Sequence, residues 1–163
     1  MSAMSRNKGA AFERLVANML TEATGTKWRR RVRNLEGESD VHADDPALGH
    51  IIIECKHAST LCLPKWWRQA QAQAARSLHG PTKVGGVLRV LDGVPVLVYR
   101  QTGGQIYVVL DAHSVHPGTW PVPGRHVVSL DWEAASQWLR EQIPARNCSA
   151  AAIISEESAC LAL

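Results

Sequence analysis

The stretch His50–His57, HIIIECKH, constrains this chain more than any other. Three consecutive β-branched isoleucines favour a strand buried on both faces. That strand then runs into Glu54, Cys55 and Lys56. Side chains alternate along a strand, so Glu54 and Lys56 share one face and Cys55 points the other way. A carboxylate and an ammonium at the end of a buried strand are costly unless paired or engaged in chemistry. Asp40 lies fourteen residues before Glu54, directly after Glu36-Gly37-Glu38-Ser39.

The segments before this strand predict a route for bringing Asp40 to it. Lys27–Arg33 reads as a first strand, with Trp28 and Val32 as apolar anchors. Asn34–Glu38 turns, with Gly37 supplying flexibility. Ser39–Ala43 is a short second strand, Asp44–Gly49 a loop, and His50–His57 the third strand. An antiparallel meander of this kind sets Asp40 beside Glu54. Ahead of it, residues 5–24 carry Phe12, Leu15, Val16, Met19 and Leu20 at helical spacing, with Ser5 or Asn7 as cap and Gly25 as stop. Glu13 sits near the edge of that apolar stripe; from spacing alone it is either a surface residue or aimed at the same site as Asp40.

After the strand, Pro64–Leu78 predicts a second helix, with Pro64 at its first position and Trp67, Ala70, Ala74 and Leu78 as one stripe. Gln69 and Gln73 are four apart and share a face. Lys83–Val90 and Val94–Arg100 read as two strands with an Asp92-Gly93 hairpin signal between them. Gln105–Leu110 and His126–Leu130 are further strands. The Pro- and Gly-rich stretch His113–Arg125 reads as an irregular loop around Trp120. Asp131 caps a last helix that runs to about Gln142. The order αβββαβ implies an α/β fold, a central mixed β-sheet flanked by helices. Residues 1–145 form the expected single domain. Residues 146–163, Ala/Ser-rich with Ile153, Ile154 and Leu161–Leu163, form a tail that is either disordered or a docking segment.

Composition narrows the function classes. At 163 residues, 45% hydrophobic and 20% charged, the chain has enough length for one sizeable core. Its apolar runs fall short of the roughly 20 residues of a membrane span. Cys55, Cys62, Cys148 and Cys160 show no CxxC spacing, which argues against a zinc site and for free thiols in a reducing cytoplasm. No P-loop and no Ser/His/Asp ordering stands out, and His42, His50, His57 and His79 are scattered. The net charge of +3 is unevenly spread: residues 1–34 hold eight basic residues against two acidic. Lys8, Arg29, Arg30, Arg31 and Arg33 in that block are the expected contacts to a polyanion backbone, next to the acids Glu36, Glu38, Asp40, Asp44 and Asp45.

A basic grip beside carboxylates suits metal-assisted phosphodiester chemistry. Mg²⁺ prefers hard oxygen ligands and is held by one or two carboxylates plus substrate phosphate. Asp40 and Glu54 can supply the carboxylates, and the main-chain carbonyl of Cys55 a third oxygen. Lys56, on the Glu54 face, can orient the attacking water or stabilise charge on the phosphate.

Taken together, Asp40 and Glu54-x-Lys56 on an apolar strand, with Glu13 in a preceding helix, resemble the PD-(D/E)XK nuclease superfamily. More narrowly, the chain is similar to phage and prophage endonucleases of the Holliday-junction-resolvase type. Gly9-Ala10-Ala11-Phe12-Glu13 matches their GxxFE-type first helix, Ser39-Asp40 the second motif, and Glu54-Cys55-Lys56 the E-x-K strand. Trp66-Trp67-Arg68-Gln69-Ala70, followed by Gln73, matches a WWRQA-type helix. Ser39 stands where the name-giving proline would be. The resemblance covers about residues 5–100. It implies a restriction-endonuclease-like core, Mg²⁺ with Mn²⁺ able to substitute, a branched or duplex DNA substrate, a homodimer, and action in the cytoplasm of a bacterial host. It also implies that Glu13 is a metal-site or orienting carboxylate, and that Gln69 or Gln73 contacts the site. The alternative is a nuclease-fold DNA-binding protein that is catalytically silent or cuts only with a partner.

Overall fold

The computed structural model describes residues 3–32, 39–76, 82–84, 87–89 and 93–143. Helix α1 (Ala3–Thr24) comes first, then β1 (Trp28–Arg30), β2 (Val41–Ala43), a 3-10 turn (Pro46–Leu48) and β3 (Ile51–Ala58). Helix α2 (Leu63–Arg76) follows, then β4 (Thr82–Val84), β5 (Val87–Arg89), β6 (Val94–Gln101) and β7 (Ile106–Asp111). The described part ends with α3 (Ala112–Val115), β8 (Val127–Asp131) and α4 (Trp132–Glu141).

Six strands form one mixed sheet in the order β1-β2-β3-β6-β7-β8. Neighbours run antiparallel except β3 and β6, which are parallel and in register from Ile51↔Val94 to Ala58↔Gln101. A parallel pair needs a crossover, and α2 lies within it. The sheet is covered on both faces. Ile51, Ile53 and Cys55 of β3, with Val96, Val98, Val108 and Leu110, pack against Phe12, Val16 and Leu20 of α1 and Ala135, Trp138 and Leu139 of α4. On the other face Leu97, Tyr99 and Val109 meet Ala70, Trp66 and Trp67 of α2. The isoleucine run is therefore buried from both sides, as β-branched runs in covered sheets are.

The first meander forms as expected, and so do the Gly25 stop and the Asp131 cap. Gly25 takes φ +67° and donates its N–H to Thr21 O at 2.9 Å. Asp131 accepts from Ala134 N at 2.9 Å. Other expectations need correction. Helix α1 begins at Ala3, ahead of the predicted caps, and Leu15 of its stripe is exposed while Ala17 is buried. Strand β1 ends at Arg30, so Val32 is 79% exposed rather than an anchor. Residues 113–125 are not wholly irregular: Asp111 accepts from His113 N at 3.0 Å and starts the single turn α3.

The largest difference concerns residues 83–101. The described residues of Lys83–Val90 do not pair with Val94–Arg100. Instead β4 and β5 pair with each other, register Thr82↔Arg89 to Val84↔Val87, apart from the main sheet. Gly93 serves another purpose. A Cβ there would sit 2.6 Å from Ala74 O, so glycine is what lets the chain pass under α2 into β6. Asn34–Glu38, Arg33, Leu78 and the tail 146–163 lie outside the described residues.

Candidate active site

The site begins where β2 runs out against β3. Val41 pairs with Ile53, and Asp40 N donates to Ile53 O at 2.8 Å, so the next pair along the ladder is Asp40 opposite Glu54. One residue earlier, Ser39 is buried, and its hydroxyl continues the ladder with a side chain. It accepts from Ile53 N at 2.8 Å, and its proton can go to Val41 O or to Ile53 O at 3.1 Å. A proline here could not make these bonds, so serine has a structural use at this position. The Asp40 side chain turns inward, and its Oδ2 accepts from Cys55 N at 2.8 Å. In a strand a residue's N–H and C=O leave on the same edge. The Cys55 carbonyl therefore faces the edge where Asp40 sits.

Glu54 points to the opposite face from Cys55, as alternation requires, and is 2% exposed. Two donors meet its Oε1: Lys56 Nζ, from the same face of β3, and Gln69 Nε2 of α2 at 2.7 Å. Lys56 keeps 24% of its side chain accessible against 3% for Glu54, so the ammonium borders solvent while the carboxylate is enclosed. Gln73 lies one turn further along α2 and is half-buried. The tryptophans of the same motif pack: Trp66 meets Tyr99 at 6.5 Å between ring centroids, and Trp67 lines an apolar groove with Leu63, Val109, Val127 and Val128.

Glu13 reaches the group from α1. Its Oε2 takes an ion pair from Arg30 Nε, both side chains being partly buried. Arg30 pairs with Val41, the residue after Asp40, and this fixes Glu13 near the β1–β2 edge. Arg31 N donates to Asp40 O at 2.9 Å, a second tie between β1 and the Asp40 turn.

These carboxylates act on one another. Burial first, then the charge of Glu54, pushes the Asp40 carboxyl up to about 7; Glu13 adds to the rise, while the Cys55 N–H and Lys56 oppose it. Burial likewise raises the Cys55 thiol well above its ordinary range, so this cysteine is a neutral core side chain. Its sulfur is no ligand, and only its carbonyl is available to a cation. The donor set fits a hard divalent cation: two carboxylates whose mutual repulsion such an ion would relieve, with a carbonyl alongside. Among the described residues no three His, Cys, Asp or Glu side chains gather into a metal-holding group. Sites that complete their shell with water and substrate phosphate need fewer.

The expected nucleic-acid contacts divide. Arg29 Nη2 and Nε bond Asp44 Oδ2 at 2.8 and 3.0 Å, an exposed pair that holds the Asp44 carboxyl below its usual range. Arg30 is engaged with Glu13, and Arg31 is half-buried. Lys8 is exposed on α1, and Arg33 lies outside the described residues. Sequence reasoning missed the Ser39 hydroxyl and the Arg30–Glu13 pair. Neither has a local signal, because each partner is chosen by strand register or by the docking of α1. It also passed over Arg100, which the β3–β6 register sets beside His57. The His57 imidazole has its pKa lowered by burial, then by the charges of Arg100 and Lys8.

Searches of curated proteins and of solved structures found no match. Among protein families, the model described as "Phage putative PDDEXK endonuclease" matches residues 4–119, which run from the start of α1 past α3 and include Glu13, Asp40, Glu54, Lys56 and Gln69. The mixed sheet flanked by helices is consistent with a restriction-endonuclease-like α/β fold. With the match spanning most of its length, the chain belongs to this phage PDDEXK endonuclease family.

Proposed function

We propose that the chain is a divalent-metal-dependent DNA endonuclease that acts as a homodimer on branched DNA of the four-way-junction type. The observation that carries this reading is the buried Asp40 opposite Glu54, with Lys56 on the solvent side of the same group. Asp40, Glu54 and the Cys55 carbonyl would hold Mg²⁺ or Mn²⁺. When bound, the ion lowers the pKa of a water and offsets charge on the scissile phosphate.

The chain's own residues do the rest. Lys56, anchored on Glu54 Oε1, presents its remaining protons outward to a water or a phosphate oxygen. Gln69 fixes the Glu54 rotamer from α2, and Arg30 fixes Glu13 from β1. Water adds to phosphorus and one P–O ester bond breaks, leaving a phosphomonoester end and a hydroxyl end. A two-fold dimer would present two such sites to two symmetry-related strands.

The test is cleavage of a four-way junction beside a linear duplex, with Mg²⁺ or Mn²⁺, by wild type, Glu54→Gln and Lys56→Met. Each substitution should lower the rate at least about 10²-fold. Activity that survives both would sink the assignment of this site. Wild-type binding to DNA without any cleavage would favour the silent or partner-dependent alternative. Sedimentation of the complex reads the dimer directly.

A further inference from the structure

At one corner of the sheet, three basic side chains from three elements converge. His57 of β3 and Arg100 of β6 are register partners, so their side chains leave the same face, the face of Cys55 and Val98. Phe12 of α1 packs on the His57 ring, centroids 5.5 Å apart. Lys8 lies one helical turn before Phe12 and is exposed on the same side of α1. Arg100 Nε donates to Gly104 O at 3.1 Å, which steadies the guanidinium. Among the described residues none of the three forms an ion pair with an acid. The charges of Lys8 and Arg100 both act on the His57 ring, and they repel one another unless an anion sits among them.

We propose that Lys8, His57 and Arg100 form a phosphate-binding subsite, which takes a backbone phosphodiester of the DNA being cut. The inference rests on the endonuclease reading and adds to it a residue, Arg100, outside the family's catalytic motif. His57 is three residues beyond Glu54, about 10 Å along β3. The subsite lies on the other face of the sheet from Glu54 and Lys56, so it meets a phosphate that flanks the cut and not the scissile phosphate itself. His57 and Arg100 are half-buried, so a phosphate reaches them from solvent at the rim of the sheet.

Two measurements test it. The first is duplex binding across a salt series in metal-free buffer, for wild type, Lys8→Gln, Arg100→Gln and the double variant, with Arg125→Gln on an exposed loop as control. The double variant should weaken binding roughly tenfold at low salt and reduce the log–log salt slope by about 2. The second is NMR of the His57 ring, assigned through His57→Gln, during titration with inorganic phosphate. A saturable shift is expected in wild type and its loss in the double variant. An unchanged salt slope together with an unmoved His57 signal would overturn the subsite. A phosphate-dependent shift in a protein that neither binds nor cuts DNA would leave a site for free phosphate and bring down the endonuclease reading instead. If Arg100→Gln does not fold, Lys8→Gln alone decides, since Lys8 is exposed on α1.

Discussion

The arginines of β1 and the basic corner at the ends of β3 and β6 carry similar charge but differ in what faces them. On β1, Arg29 meets Asp44 and Arg30 meets Glu13. At the corner, Lys8, His57 and Arg100 face one another. The sequence concentrates positive charge in residues 1–34, yet two of those eight basic side chains, Arg29 and Arg30, are answered by acids in the fold. A count of basic residues measures charge; what a phosphate meets is the charge left over after tertiary pairing. On this view the β1 arginines shape the site, and the corner holds the substrate.

That division can be broken experimentally, and the largest effect is expected at Arg30. Arg30→Ala should lower the cleavage rate by up to about 10²-fold by releasing Glu13, with DNA affinity nearly unchanged. Arg100→Gln should do the reverse, raising KM more than it lowers kcat. Arg30→Lys keeps the charge and should restore part of the rate. Equal losses of affinity in Arg30→Ala and Arg100→Gln would erase the distinction.

The carboxylate edge has the opposite imbalance, and it shows in pH dependence. The Asp40 carboxyl is raised from 3.8 to about 7 in the folded protein, so the native state holds a proton that the unfolded chain has lost. This contribution to stability is fully present below pH 3.8 and is lost as pH rises through about 7. Metal-free protein should therefore lose a few kcal/mol of unfolding free energy between about pH 4 and 8. Asp40→Asn should flatten that slope in urea titrations. Mg²⁺ at pH 8 should raise the melting temperature of wild type and leave Asp40→Asn unmoved. A pH-independent wild type would show that the carboxylates are not pressed together.

Gly93→Ala tests the scaffold behind the corner. A methyl 2.6 Å from the Ala74 carbonyl must displace α2 or the start of β6, at a cost of about 1–3 kcal/mol. Since β6 carries Arg100 at its other end, DNA affinity should fall more than the Arg30–Glu13 geometry changes. The smallest effect is expected at Arg29. Its pair with Asp44 is exposed, so Arg29→Ala should leave the melting temperature nearly unchanged and lower the salt slope less than Arg100→Gln does.

The sequence by itself determined the elements whose cause is local. The isoleucine run made β3 a covered strand, and alternation put Glu54 with Lys56 and Cys55 with the core. Gly25 and Asp131 marked helix ends because a left-handed residue and a capping carboxylate act within a few bonds. The short meander placed Asp40 across from Glu54 for the same reason. Tertiary structure decided the rest. Nothing near Val94 announces that its strand runs parallel with β3 instead of pairing with Lys83–Val90, because a parallel partner is chosen across a whole crossover. The choice of Glu13 by Arg30 depends on how α1 docks. The meeting of Arg100 with His57 depends on the β3–β6 register, which packing on both faces of the sheet sets. Local bonding is legible along the chain, whereas charge pairing between distant segments exists only once the core has brought them together.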